Sequence, residues 1–456
     1  MSGEADPADR ATRETIFALS SGAGRAGVAV IRVSGPNAGP ALDALAGVRP
    51  AARHASLRNL RDPENSEPLD RALILWFPGP ASVTGEDVAE LHVHGGRAVI
   101  EGVIEALAGQ DGLRPAEPGE FTRRAFENGL LDLTAAEGIA DLVEAETAAQ
   151  RRQAQRQTEG VLAALYDGWR ERMVAALAHL EAAIDFSDED LPEAVLAKAR
   201  PALAELAEAI AAHLDDGHRG ERLRDGITVA IVGAPNVGKS SLLNALARRE
   251  VAIVAETAGT TRDVIEVHLD LDGYPVIVAD TAGLRALDPK SADPVEAEGI
   301  RRARARAETA DIRIVVFDVA EPANPDGLGM VDDRAVIAVN KIDLIKSAPP
   351  ARIAEREALA ISALSGAGIP ALLERLAEVV GELLAVGSEA PALTRTRHRQ
   401  ALDDCLEALR RAERAELPEL AAEDARLAVR ALGRITGRVE VEDILDVIFR
   451  DFCIGK

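Results

Sequence analysis

Apolar and polar positions change rhythm several times along the chain. Residues 28–33 and 72–77 are short apolar runs that read as buried strands, and residues 88–94 alternate apolar with polar as a half-buried strand does. Residues 13–125 therefore predict mixed strands and helices. Thr134-Ala-Ala-Glu137 has the form of a capping box and predicts the start of a long helical region. Leu162, Leu165, Trp169, Met173, Leu177, Leu180 and Ile184 then recur at steps of three and four, the apolar face of a bundle helix. From residue 226 the pattern returns to short apolar runs, 227–232, 276–279 and 335–339, separated by polar and helical stretches. After residue 381 it is helical again, with Leu402, Leu406 and Leu409 on one face. The expected architecture is α/β and multi-domain. An N-terminal α+β domain (1–128) precedes a discontinuous α-helical bundle (129–225 and 382–456), into which an α/β domain (226–381) is inserted. Insertion requires the ends of that domain to lie close together.

The inserted domain carries the chemistry. Gly233-Ala-Pro-Asn-Val-Gly-Lys-Ser-Ser241 reads G-x-x-x-x-G-K-S directly after an apolar run and before a helical one. That order makes it a phosphate-binding P-loop. Backbone N–H groups from Asn236, Val237, Gly238 and Ser241 line the loop and helix start, Lys239 reaches the outer phosphates, and the Ser240 hydroxyl suits magnesium. Asp280-Thr281-Ala282-Gly283 ends the second run, placing a magnesium-shell carboxylate at a strand end and the Gly283 N–H toward a γ-phosphate. Asn340-Lys341-Ile-Asp343 ends the third. A carboxylate there accepts both the N1–H and the amino group of guanine, which adenine cannot supply, so the set selects GTP over ATP. Ser362-Ala363-Leu364 lies one strand later and backs the base. Thr260 and Thr261 suit a switch that ligates magnesium and senses the γ-phosphate. Many GTPases place a water-orienting glutamine just after D-x-x-G; here that position is Leu284, so another group must do that work.

Composition adds limits. The net charge is −24, which argues against a strong nucleic-acid surface over the whole molecule. Local basic clusters exist at Arg151-Arg152 with Arg156, at 301–306, and at Arg395-Thr-Arg-His-Arg399; each reads as a solvated helix face. Two cysteines, Cys405 and Cys453, exclude a disulfide framework and suit a reducing cytoplasm. The acidic start is not a signal peptide, and no run approaches a membrane span. Gly22-Ala-Gly-Arg-Ala-Gly27 matches a dinucleotide fingerprint, but a strand-like run follows it instead of a helix. His92 and His94 share a strand face without a further ligand cluster, which favours a structural role. The tail Cys453-Ile-Gly-Lys456 formally matches a prenylation box, although its last residues suit that signal poorly. Phe449 and Phe452 could anchor it, leaving Cys453 either a buried structural residue or a working thiol.

Together with these motifs, residues 24–35 (Gly-Arg-Ala-Gly-Val-Ala-Val-Ile-Arg-Val-Ser-Gly), 84–90 (Thr-Gly-Glu-Asp-Val-Ala-Glu), His94-Gly-Gly96, residues 118–126 (Pro-Gly-Glu-Phe-Thr-Arg-Arg-Ala-Phe) and the Phe-Cys-Ile-Gly-Lys end resemble the MnmE (TrmE) family of tRNA-modification GTPases, a TrmE–Era–EngA-like class, over nearly the whole length. The resemblance implies a Ras-like G domain and an N-terminal domain that dimerises and binds a tetrahydrofolate (5,10-methylene or 5-formyl). It implies a cytoplasmic homodimer that assembles as a heterotetramer with an FAD-dependent MnmG (GidA) partner. Such a complex adds an aminomethyl or carboxymethylaminomethyl group to C5 of the wobble uridine of certain tRNAs. By position Arg32, Glu90 and Lys456 match folate contacts, and Cys453 matches a functional cysteine. Leu130 departs from an expected basic contact, which is either lost or supplied by a neighbour such as Arg123 or Arg124. Potassium would serve where an arginine finger acts in other GTPases. Asn236 matches one of its ligands, and the loop Ala255, Glu256, Thr257, Ala258, Gly259, Thr260 wraps it, with Ala255, Thr257 and Thr260 as ligands. Glu296 matches the water-orienting glutamate, with Glu298 as the alternative. A different class stays open beside this one: a ribosome-assembly or switch GTPase without modification chemistry, which would have no use for folate.

Overall fold

The computed structural model describes residues 14–22, 24–185, 192–249, 251–253, 266–280, 309–322, 324–385, 391–439, 445, 448–450 and 452–455. The chain forms two compact units, one from residues up to 140, 157–172 and from 429 on, the other from 141–156 and 173–428.

The first unit is built on a six-stranded sheet. Its strands are β1 (Thr15–Leu19), β2 (Ala26–Ser34), β3 (Ser56–Arg61), β4 (Pro68–Phe77), β5 (Val88–Gly95) and β6 (Leu113–Pro115), in the order β3-β4-β5-β2-β1-β6. Every pairing is antiparallel except β1 with β6. Alternation sorts the side chains. Ile31, Val33, Leu91, Val93, Ile74 and Trp76 point to one face, where the helices Ala38–Ala46 and Arg97–Ala108 add Leu42, Leu45, Val103 and Leu107. Burying each such side chain is worth about 1.5–3 kcal/mol. On β2 and β5 the intervening positions, Arg32 and Glu90, face each other across the ladder. The glycine-rich motif runs into β2, which already includes Ala26 and Gly27, so a strand and not a helix follows it, as its sequence implied.

The second unit holds the inserted domain. Its strands are β7 (Ile227–Val232), β8 (Ala252–Ile253), β9 (Glu266–Leu271), β10 (Tyr274–Asp280), β11 (Ile312–Asp318), β12 (Ala335–Asn340), β13 (Arg352–Ile353) and β14 (Arg356–Ala360), in the order β13-β14-β12-β11-β7-β10-β9-β8. The five central strands are parallel, and β13, β9 and β8 add antiparallel edges. Parallel strands are buried on both faces, hence their continuous apolar runs. Val229, Ile231, Val278 and Ile314 pack on one side with Leu242 and Leu376 of the helices Lys239–Ala247 and Ile369–Ala385. Val232, Val315, Phe317 and Val339 pack on the other. In the same unit the helices Pro192–Leu214 and Thr396–Arg414, which precede and follow this domain, pack along each other. Arg200 donates to the Ala415 carbonyl at 2.9 Å, and Leu402, Cys405 and Leu409 are buried. The fold is thus an α/β multi-domain chain with an N-terminal α+β region, a discontinuous helical region and an inserted P-loop domain.

Two local expectations need correction. The first bundle helix, Leu133–Glu144, is capped by Asp132, whose Oδ1 accepts from the N–H groups of Thr134 (2.7 Å) and Ala135 (3.1 Å). Thr134 and Glu137 are buried within the helix and are not a capping pair. A carboxylate at the earlier position competes successfully because it carries full charge at the helix's positive end. The cluster Arg395 to Arg399 is also not a solvated face. Arg395 donates to Asp141 at 2.7 Å, Arg399 to Asp216 at 2.7 Å and to the Leu214 carbonyl at 2.7 Å, and His398 is fully buried. The cluster 301–306 lies outside the described residues.

Candidate functional site

The carboxyl ends of the parallel strands gather the candidate residues at one end of the sheet, where ligands bind in open α/β folds. Asp280 lies opposite Ile231 on β7, just ahead of the loop, and Asp318 lies opposite Asn340. Between β7 and the helix Lys239–Ala247 the loop 233–238 curls tightly. Gly233 has φ +147° and a Cβ there would sit 2.3 Å from the Val316 carbonyl; at Gly238, with φ +99°, it would sit 2.3 Å from Asn340 Nδ2. Only glycine fits either position. Asn236 takes the left-handed conformation, which asparagine tolerates, and is exposed at the loop surface. Lys239 is buried at the helix N-terminus, its ammonium donating to the carbonyls of Gly233 (3.1 Å) and Ala234 (2.8 Å). Ser240 and Ser241 are exposed beside it. The arrangement presents a positive helix end, an ammonium and a hydroxyl around one concave loop, which fits phosphate and a magnesium ligand.

The candidate base-recognition residues are tied to this loop. Asn340 Nδ2 donates to the Val237 carbonyl at 2.8 Å, and its Oδ1 accepts from Ala363 N–H at 2.9 Å. Asn340 thus braces the P-loop against the Ser362-Ala363-Leu364 loop with both ends of its amide. Asp343 is exposed and accepts from the buried Ser362 hydroxyl at 2.5 Å, leaving the carboxylate positioned at the surface. Leu364 is 87% exposed, an apolar side chain free to cover a ring. Lys341 adopts a left-handed backbone and donates to Asp318 at 2.7 Å. Burial alone would raise the Asp318 carboxyl, but Lys341 and the Ala320 N–H outweigh it and hold it below the usual range. Asp318 was not anticipated from sequence, although it ends an apolar strand run in the manner of Asp280. Ala255, Glu256, Thr257, Ala258, Gly259, Thr260, Thr261, Thr281, Ala282, Gly283, Glu296 and Lys456 lie outside the described residues, as do Leu284 and Glu298.

In the first unit a second constellation forms. Arg32 donates to Glu90 Oε1 through Nη2 (2.9 Å) and Nε (3.1 Å), and its guanidinium lies 5.7 Å from the Phe121 ring centre. His92 Nε2 is 3.3 Å from the other Glu90 oxygen, and His94 contacts Asp70 at 2.7 Å, so carboxylates engage both imidazoles. The C-terminal segment is anchored by Phe449 and Phe452, which are buried with Leu133, Ala136 and Leu445. Beyond them Ile454 bridges to Pro118, Gly119 N–H donates to the Cys453 carbonyl at 3.4 Å, and Ser20 donates to the Gly455 carbonyl at 2.8 Å. Gly455 has φ +98°, and a Cβ there would meet the Leu19 carbonyl at 2.1 Å. The chain is thereby fixed while the Cys453 side chain is exposed. Cys405 contrasts with it: burial pushes that thiol up to about 12, an inert core residue.

Arg124, one of the two arginines expected as stand-ins for a basic contact at Leu130, is held inside the protein. It is buried and donates to Glu86 (3.0 Å), Glu120 (2.9 Å) and the Glu14 carbonyl (3.0 Å). Glu86 also accepts from Ser34 at 2.8 Å, so the 84–90 and 118–126 motifs meet in a buried ion pair. Arg123 pairs with Glu127 at 3.1 Å.

A strand, a glycine loop and a helix bearing G-x-x-x-x-G-K-S, braced to N-K-x-D and S-A-L, define a P-loop protein of the guanine-nucleotide class. Family models described as GTP-binding protein TrmE N-terminus and MnmE helical domain match residues 15–130 and 133–453. The tRNA modification GTPase MnmE of Rhodospirillum rubrum is 57% identical over 98% of this chain and 100% of its own. That of Parvibaculum lavamentivorans is 58% identical over 97% and 100%. The mitochondrial 5-taurinomethyluridine-[tRNA] synthase subunit GTPB3 of Homo sapiens is 50% identical over 97% and 93%. Among solved structures, Era of Aquifex aeolicus bound to GDP.AlF4- is 27% identical over 42% of this chain and 69% of its own, with a TM-score of 0.25. The chain belongs to the MnmE family of tRNA modification GTPases.

Proposed function

We propose that this chain hydrolyses GTP in the course of tRNA wobble-uridine modification. The observation that carries the reading is the P-loop braced by Asn340 to the base-recognition loop, in a chain alike over nearly its full length to tRNA modification GTPases. The domains would be an N-terminal dimerising and folate-binding domain (1–128), a helical domain in two parts (129–225 and 382–456) and the G domain (226–381). Asn236 to Ser241 hold the phosphates, with Ser240 and Thr261 as magnesium ligands. Asp343, backed by Ser362, reads guanine. Asn236, with Ala255, Thr257 and Thr260, would hold potassium, whose charge offsets that developing on the phosphates. Its exposed left-handed position on the loop surface suits Asn236 to that role. Glu296 orients the attacking water, the work Leu284 cannot do.

The Arg32–Glu90 pair suits a pterin, because Glu90 accepts and Arg32 donates on one sheet face. Lys456 would join them from the tail, and Cys453 would act in the modification step. When bound, the folate supplies a one-carbon unit, and FAD on an MnmG-type partner supplies redox chemistry. The working assembly would be a cytoplasmic homodimer joined by that partner; no described helix is long and apolar enough to cross a membrane. Hydrolysis of GTP and ATP in potassium or sodium chloride tests the nucleotide half. GTP turnover raised at least about tenfold by potassium, with ATP inert, is expected. Equal use of both nucleotides contradicts the base assignment, and no cation preference contradicts the potassium site.

A further inference from the structure

The helix Ala148–Thr158, in the second unit through Arg156, is fastened by amides and not by charge. Gln150 Nε2 donates to the Arg224 carbonyl at 3.0 Å, and Gln153 Nε2 to the Gly220 carbonyl at 3.3 Å. Ala149 N–H donates to the Gly273 carbonyl at 3.0 Å, while Ala149 and Ala154 are buried. Arg151, Arg152 and Arg156 are exposed. Among the described residues no side chain or carbonyl pairs with their guanidinium groups.

That face runs against the chain's composition. The helix reads AAQRRQAQRQT, three arginines without an acid, in a protein with 76 acidic and 52 basic residues. Several exposed helical arginines elsewhere are matched one turn away, Arg97 with Glu101, Arg411 with Glu407 and Arg426 with Glu423, whereas Arg410, Arg414 and Arg430 are exposed singly on helices that also carry acids. The helix Ala148–Thr158 differs in carrying three such arginines together with no acid among them. Three unmatched guanidinium groups form a compact cationic surface. Arg152 and Arg156 stand one turn apart, about 6 Å along the axis, and Arg151 lies about 100° round from Arg152. Long, forked, always-charged side chains at that spacing reach successive phosphates of one strand.

We propose that Arg151, Arg152 and Arg156 form a docking surface for the phosphate backbone of the tRNA. This rests on the tRNA-modification reading above and supplies what a net charge of −24 otherwise denies, a local site for a polyanion. Its fastening also matters. Gly273 is the turn between β9 and β10, and β10 ends at Asp280, so the RNA-facing helix is bonded to the hairpin that carries a nucleotide-site residue.

The test is tRNA binding by the full chain, read by fluorescence anisotropy with an unmodified transcript from about 50 to about 200 mM KCl. Replacing all three arginines by glutamine is expected to weaken binding about 10- to 100-fold and to lower the slope of log affinity against log salt by about 2–3. The triple lysine variant should keep most of that slope, which a merely structural role would not require. GTP affinity and thermal melting should stay as in the wild type. If the wild type binds tRNA and the glutamine variant binds equally with the same slope, the docking surface is wrong while the tRNA reading stands. If the wild type binds no tRNA even at low salt, the surface is also wrong; wobble-uridine content in cells carrying it then decides the tRNA reading separately.

Discussion

The phosphate loop and the C-terminal tail are both held by glycines with positive φ, yet they are assembled in opposite ways. The loop's residues are consecutive: Gly233 to Ser241 follow β7 and enter a helix without a break. The tail joins Gly455 to Ser20 across 435 residues, and the neighbouring Arg32–Glu90 pair spans 58. A site written in consecutive residues is fixed as soon as its strand and helix form. A site written across the chain depends on the whole first unit closing.

The largest effect is expected at Gly233. Gly233→Ala drives a Cβ into the Val316 carbonyl at 2.3 Å, so nucleotide affinity should fall at least about 100-fold, or about 3 kcal/mol. Fluorescent-GDP titration reads it, and Gly455→Ala should leave that value unchanged. Next comes Asn340→Ala, which orphans the Val237 carbonyl and the Ala363 N–H. A loss of about 2 kcal/mol in stability of the inserted domain is expected, seen as a lower denaturant midpoint with weakened GTP binding. Gly455→Ala then sharpens the contrast. A Cβ 2.1 Å from the Leu19 carbonyl should expel the tail and raise hydrogen exchange at residues 452–455 about tenfold, with GTP hydrolysis retained.

The smallest effect concerns the arginine–histidine cluster of the second unit. Burial first, and then the nearby charges of Arg399 and His398, lower His213 to about 4, against an opposing pull from Asp216. The folded state therefore binds its proton less readily than the unfolded state. Stability is fully present above about pH 6.5 and declines as pH falls toward 4. Between about pH 6.5 and 5.5 the loss should be about 1 kcal/mol, and His213→Gln should flatten it in a pH series of urea melts.

This difference in assembly also explains what could be read from the sequence. The P-loop, Asp280 at its strand end and the N-K-x-D segment were legible because strand periodicity and glycine placement are local. Asp132 as the helix cap was not, since Thr134-Ala-Ala-Glu137 offered an equally good pattern two residues later and only the fold decides between them. The pairing of Arg395 with Asp141, 254 residues away, left no trace in a linear pattern and made a structural clamp look like a solvated face. Arg124 looked free for the same reason: Glu86 is 38 residues from it. For the folate contacts and Cys453, resemblance and not periodicity supplied the expectation.

The most direct test of the account is nucleoside mass spectrometry of tRNA from cells lacking this chain, complemented with wild type, Asp280→Ala or Cys453→Ser. The C5-modified wobble uridine is expected to disappear and to return only with the wild type, so that both regions are required. Persistence of the modified uridine without the chain, or its full return with Cys453→Ser, would contradict it.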